Sequence, residues 1–437
     1  MACLFTALLT FCIPASAASS PSIAASVNVG TNPNSVAIAN DSTKAVVTNY
    51  ASNTISIIDI ATGTATSVGV GTHPTAVAIT PDGTTALVTN YGSSTVSFVS
   101  LVSETVTSTI TLAAGAQPGS VVISHDGSTA FVADGGLGIN LIERIDISSR
   151  TITGSVTATL PGGLLMSPDG QTVYATAAMS GQVSYFNTTT LSRGTITLSD
   201  YYGTPATSLA ISPDGATLYV VRGTQYHIVS MLNTVTHSQT STTVVGSYPR
   251  GAAVSPDGSR VYVTNSGSDT VSVLNSAGAI TGTIPVGQTP DQVSFTPDGL
   301  LALVTNQAGN SVFFIDPSSA TVVSTLAVGA TPTKLAINTL GTKALVINYA
   351  SNSVSIINLP YSEIVGGPTA AIQQYGIQET DRCGVAPPDS VLMPAFGEEW
   401  RNFGWGHSWA QWPADGRGGY VCTRQPLYTT NGWLIAS

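Results

Sequence analysis

The sequence predicts an all-β fold, an eight-bladed β-propeller of four-stranded blades, on three observations. Eight prolines, Pro33, Pro74, Pro118, Pro161, Pro205, Pro249, Pro290 and Pro332, recur at intervals of 41 to 44 residues, a period that belongs to solenoids and propellers. Within an interval lie four short β-branched runs and no helical period, most plainly AVAIT at 76–80, TALVT at 85–89, TVSFVSL at 95–101 and TVTSTIT at 105–111. Four strands per repeat make a propeller blade. Pro-Asp-Gly at 81–83, 168–170, 213–215, 256–258 and 297–299 joins the first run to the second, proline presetting φ and glycine accepting φ > 0. His125-Asp126-Gly127 is the same turn without its proline.

Residues 1–18 precede the repeats. An apolar core from Leu4 to Ile13 followed by Ala15-Ser16-Ala17 is the pattern of a secretory signal peptide with A-x-A cleavage, although Lys and Arg are missing before it. Phe11 directly before Cys12 fits a lipoprotein signal poorly. The segment SVNVGTNP at 26–33 aligns in frame with SVGVGTHP at 67–74, so it is a last strand without its three predecessors. The eighth repeat has the opposite defect, three strands and then Leu359-Pro360. Joining the two closes a ring of eight and removes free sheet edges. Glu363-Ile364-Val365-Gly366 is the competing fourth strand.

Repeats one, two, six, seven and eight are regular. Repeats three to five drift together: Val-Thr-Asn becomes Val132-Ala133-Asp134 with an insertion after it, repeat four reads ATAAMSG at 175–181, and repeat five carries Val221-Arg222-Gly223 followed by Tyr226 and His227. Drift of this kind marks either a sector with its own task or loss of constraint. Beyond Pro360 the composition changes. Residues 361–382 read as a linker and 383–437 as a small module holding all five tryptophans. Removing the leader leaves Cys383 and Cys422, a pair expected to form a disulfide in an exported chain, worth roughly 3–4 kcal/mol for a loop of about forty residues; free thiols are the alternative. Trp405, Trp409 and Trp412 either build the core of that module or stack on sugar rings of a cell-wall polymer.

The segments VAITPDGTTALVTNYGSSTVSF (77–98), VSPDGSRVYVTNSGSDTVSVLN (254–275) and VSFTPDGLLALVTN (293–306) resemble the YVTN family of β-propeller repeat proteins, known from surface-layer and other exported proteins. The resemblance spans 22–360 and implies a propeller on the cell surface or secreted. It implies no catalytic residue, because its motif is a structural repeat.

Composition narrows the function. Only 8 % of residues are charged against roughly 25 % in an average soluble domain, which suits face-to-face sheets of small and β-branched side chains. A net charge of -10 without a Lys/Arg cluster argues against nucleic acid, and no run reaches the length of a membrane-spanning helix. There is no H-E-x-x-H, Walker A, haem-attachment or G-x-S-x-G motif, so neither metal nor cofactor is expected. In a propeller the loops at the anchor prolines and after the second strands ring one mouth of the channel, a common ligand site. That places His73, Tyr248, Arg250 and Asp291, with Asp134, Arg222, Tyr226 and His227 from the drifted loops, as binding candidates. The asparagines Asn49, Asn90, Asn265, Asn306 and Asn348 satisfy their own loops or form a ring for sugar hydroxyls or a cation. The expected function is a secreted or surface recognition protein contacting a protein or wall polysaccharide. Two alternatives remain: a lyase-like or lactonase-like propeller enzyme with an acid/base pair at the mouth, and a structural surface-array subunit.

Overall fold

A computed structural model describes residues 20–360, apart from 137, 178–180, 199–205 and 224–225, and two short strands nearer the C-terminus. Its propeller unit holds eight four-stranded antiparallel sheets. Blades one to seven span 33–69, 74–111, 118–157, 161–197, 206–244, 249–285 and 290–327. Blade two shows the plan, with strands Pro74–Ile79, Thr85–Asn90, Thr95–Ser100 and Thr105–Thr111 paired in chain order.

Burial follows from position in the ring. The second and third strands are covered on both faces and read as unbroken buried runs, Ala86 to Asn90 and Val96 to Val99, apolar but for Thr89, Asn90 and Ser97. The fourth strand lies at the rim, and Thr105–Thr111 alternates exposed with half-buried residues. Turn chemistry behaves as the sequence requires. Gly83 sits at φ +73°, and Asp82 accepts the Thr84 N–H at 3.0 Å. The Thr80 hydroxyl and then that amide hold the Asp82 carboxyl below the usual carboxylate range.

Blade eight confirms closure from the front of the chain. Its strands Pro332–Ile337, Lys343–Asn348 and Ser353–Asn358 are completed by Ser22–Asn28, antiparallel to the third, with Asn28 opposite Ser353 and Ser22 opposite Asn358. The competing strand at 363–366 lies outside the described residues. Eight apolar clusters fill the eight gaps between neighbouring blades. In the last of them Ala45, Val47 and Ile58 of blade one meet Leu345, Ile347 and Ile356 of blade eight, with Val27 of the closing strand. The ring is therefore sealed by packing as well as by pairing.

A second unit, 361–437, contains the described strands Leu427–Tyr428 and Leu434–Ala436, paired antiparallel. The leader expected at 1–18, Cys383, Cys422, Trp405, Trp409 and Trp412 fall outside the described residues. Among the described residues no helix is long and apolar enough to cross a membrane.

Candidate functional site

The Val-Thr-Asn motif builds the mouth from the inside, and each residue has a separate task. The valine is core. The threonine ties its blade to the next: the Thr264 hydroxyl donates to the Asp291 carbonyl at 2.8 Å, and Thr305 to the Thr333 carbonyl at 2.8 Å. The asparagine is fully buried and donates within its own blade, Asn90 Nδ2 reaching Thr95 Oγ1 at 3.0 Å and Ser97 Oγ at 2.9 Å. Asn49, Asn265 and Asn348 repeat that pattern. Asn306 instead reaches the Val304 carbonyl at 3.3 Å, because Phe313 stands where the others have serine. Of the two readings of these asparagines, the local structural one is what the geometry supports; fully buried side chains do not line a mouth.

Asp134 and Arg222, expected in exposed drifted loops, are the last residues of second strands in blades three and five and are fully buried. They occupy the asparagine position. In blade three the substitution goes further, since Glu143 stands in the register of Ser97 and is also buried. Asp134 Oδ1 accepts the amides of Gln117 at 2.6 Å and Gly136 at 3.1 Å, and Glu143 Oε1 that of Ala113 at 3.3 Å. The outer oxygens, Asp134 Oδ2 and Glu143 Oε2, have no protein partner. Burial, and to a lesser degree the charge of Asp134, push the Glu143 carboxyl up despite the Ala113 amide.

A raised carboxyl costs nothing where it is protonated in both folded and unfolded chains, and destabilises the fold progressively as pH rises from the unfolded value through the folded one. Glu143→Gln is therefore expected to raise unfolding stability by about 1–2 kcal/mol at neutral pH. The gain should shrink to near zero at about pH 4. Denaturant melts across that range check it.

Of the remaining described candidates, the structure gathers all but His73 on one arc of the mouth. A cavity of about 880 Å³ runs along the first strands of blades five, six and seven and reaches Lys334 of blade eight. Arg250 Nη1 pairs with Asp291 Oδ1 across the gap between blades six and seven at 3.0 Å, the arginine side chain 47 % exposed and the carboxylate 12 %. Tyr248 and Gln292 lie on the same wall. His227 reaches this arc indirectly, its Nδ1 accepting the Tyr248 amide at 3.0 Å and its ring meeting the Tyr248 ring edge-on; Tyr226 precedes it. His73 is elsewhere, on blade two, stacked on Tyr50 with ring centroids 4.6 Å apart. Gln292 was missing from the candidate residues read from the motifs, although it sits two positions after the anchor proline Pro290 and that offset would have found it.

Two cations face one carboxylate around this cavity, in a chain whose net charge is -10. The arrangement selects for a small polar ligand with negative charge, or one that gains it during reaction. Among the described residues no group of three or more His, Cys, Asp or Glu side chains is placed to hold a metal ion.

A family model described as "Lactonase, 7-bladed beta-propeller" matches residues 7–285. That segment takes in the closing strand and ends with blade six, so it includes Arg250 and leaves out Asp291 and Lys334. Among solved structures the chain is similar to Kuenenia stuttgartiensis hydrazine synthase, with a TM-score of 0.53 and 19 % identity over 76 % of this chain and 97 % of that one, a likeness of fold. No curated protein matches the sequence.

Proposed function

Because the chain belongs to the lactonase, seven-bladed β-propeller family, though with eight blades in its own ring, we propose that it is an enzyme that opens lactone rings in the cavity beside blades five to eight. This is the enzyme alternative to the recognition protein that the repeat motif alone favoured. The observation that carries it is the Arg250–Asp291 pair with Lys334 on the wall of one cavity.

Ring opening by water needs a polarised carbonyl, a place for the proton of the attacking water, and a site for the charge that develops. Arg250 and Lys334 supply the electrostatic part, first on the carbonyl oxygen and then on the product carboxylate. Asp291 is the one acid on the cavity wall among the described residues, and it takes the water proton as the hydroxide adds to the carbonyl carbon. The carbon–oxygen ring bond then breaks, the proton passes to the leaving alkoxide, and a hydroxy acid is released. Tyr248, 56 % exposed, flanks the opening where the ring body would lie.

Proton release from a panel of γ- and δ-lactones, followed with a pH indicator, tests the reading. Wild-type protein is expected to turn over at least one member, and Arg250→Met, Asp291→Asn and Lys334→Met each to lower kcat/KM by about tenfold or more. A panel with no turnover above the triple variant would sink it. The recognition reading draws on the commitment of the Asp291 carboxylate to Arg250, which suits a fixed binding wall. Saturable binding of hydroxy acids without turnover would select it.

On the leader-like segment 1–18 we place this activity outside the cytoplasm. The tryptophan-rich tail, with Trp405, Trp409 and Trp412, is proposed as an anchor to wall polymer, closed by Cys383 and Cys422.

A further inference from the structure

Among the described residues, six of the blade-to-blade steps at the mouth are clasped in one way. The residue before a third strand offers a side-chain acceptor to the backbone N–H of the residue before the next blade's anchor position. Asn352 takes the amide of Asn32 at 2.9 Å, Asn53 that of His73 at 2.9 Å, Asn140 that of Leu160 at 2.8 Å, Asp269 that of Thr289 at 2.8 Å and Asn310 that of Thr331 at 2.8 Å. In the sixth the acceptor is His227 Nδ1, holding the amide of Tyr248 at 3.0 Å.

Both partners in all six clasps are non-glycine residues in the left-handed region, with φ between 41° and 56°. Such residues are held there by their surroundings at a cost of about 1 kcal/mol or more each. Asparagine, aspartate and histidine tolerate this region better than other side chains, which is why histidine fits the place at all.

Chemistry separates His227 from its five counterparts. A nitrogen that accepts a hydrogen bond has its lone pair in use, so the imidazole proton resides on Nε2. A second proton has only Nδ1 to go to, and it would set N–H against N–H. The asparagine amide oxygens have no such second state, and a carboxyl group such as that of Asp269 keeps an acceptor oxygen in either of its states. Histidine is the side chain that ordinarily changes charge between about pH 5 and 8.

We infer that His227 is a pH-operated clasp between blades five and six: neutral, it fixes Tyr248 at the rim of the cavity, and protonated, it lets that segment go. The titratable and charged neighbours on the surrounding described elements are Tyr226 on its own loop, Arg222 at the end of the paired second strand, and Tyr248 and Arg250 on blade six, with Asp291 beyond Arg250. The consequence is acid-dependent loosening of one wall of the site while the other five clasps hold. It stands whether or not the cavity opens lactones.

The test needs no ligand. NMR-detected amide exchange of the whole chain at pH 7.5 and pH 5 gives protection factors for Tyr248 and for two internal references, His73 and Thr331, whose acceptors are asparagines. On going to pH 5, protection of Tyr248 relative to both references is expected to fall about tenfold in wild type, and to stay level in His227→Asn, which installs the acceptor used elsewhere in the ring. Long-range nitrogen–proton correlation at pH 7.5 should show the His227 proton on Nε2. A Tyr248 amide that tracks the references in wild type at pH 5, or a ring proton found on Nδ1, overturns the inference.

Discussion

Deleting residues 22–28 is expected to cost roughly 5 kcal/mol and to lower the melting temperature by about 10 °C. The strand contributes a full antiparallel edge against Ser353–Asn358 and the buried Val27, which packs with Val354, Ile356 and Leu345 in the gap between blades eight and one. Its loss removes hydrogen bonds worth about 1 kcal/mol each and apolar cover at about 25 cal/mol per Å². It also leaves the row of polar groups on Ser353–Asn358 unpaired, a template for a second chain. Calorimetry with size-exclusion chromatography should show an earlier transition and concentration-dependent association. A synthetic peptide carrying residues 20–30 should restore part of the loss. An unchanged melting temperature in a monomeric deletion variant would mean that this strand does not complete the ring.

The second large effect concerns the glycine three residues ahead of an anchor proline. A Cβ built on Gly71 would lie 2.4 Å from Ser93 Oγ, 2.6 Å from Asn90 Cγ and 2.7 Å from Asn90 Cβ. Real atoms do not approach so closely, and Asn90 has nowhere to retreat, being fully buried and tied to Thr95 and Ser97. Gly71→Ala is therefore expected to destabilise by about 2–3 kcal/mol through overpacking. Gly69→Ala, two residues earlier in an exposed position with open space around it, is the control and should lie within about 0.5 kcal/mol of wild type. Equal effects from the two would show that chain flexibility, and not the asparagine, sets the preference for glycine.

That contact also marks how far the sequence could be read. The VG-x-x-P lead-in and the Val-Thr-Asn or, in repeat eight, Val-Ile-Asn ending each occur in five repeats, and they are the same five, one, two, six, seven and eight. Each motif was visible; the dependence of one on the other was not, because the two meet only when the lead-in of a blade folds over the end of its second strand. The ring itself was legible, since strand alternation and Pro-Asp-Gly turns are local signals and the in-frame match of 26–33 to 67–74 identified the missing strand. Asp134 and Arg222 were read as loop residues for the same reason that the glycine contact was missed: burial at a strand end depends on what lies over it. Glu143 was readable, because aligning third strands places it among Ser56, Ser97, Ser184, Ser230, Ser272 and Ser355. The mouth was legible as a ring of anchor-proline neighbours that included Tyr248, Arg250 and Asp291, but the pairing of Arg250 with Asp291 was not, because it joins first strands of separate blades.

The order of synthesis gives the closing strand a further meaning. Asn358 Nδ2 contacts Ser22 Oγ across 336 residues of chain, so the closing strand is synthesised long before the strand it pairs with. Contacts this distant are slow to form, and until they do, seven blades stand as an arc with an open side. A long-lived arc invites capture by chaperones or by a neighbouring nascent chain. Completion of the propeller thus waits on the encounter of two strands that lie far apart along the chain.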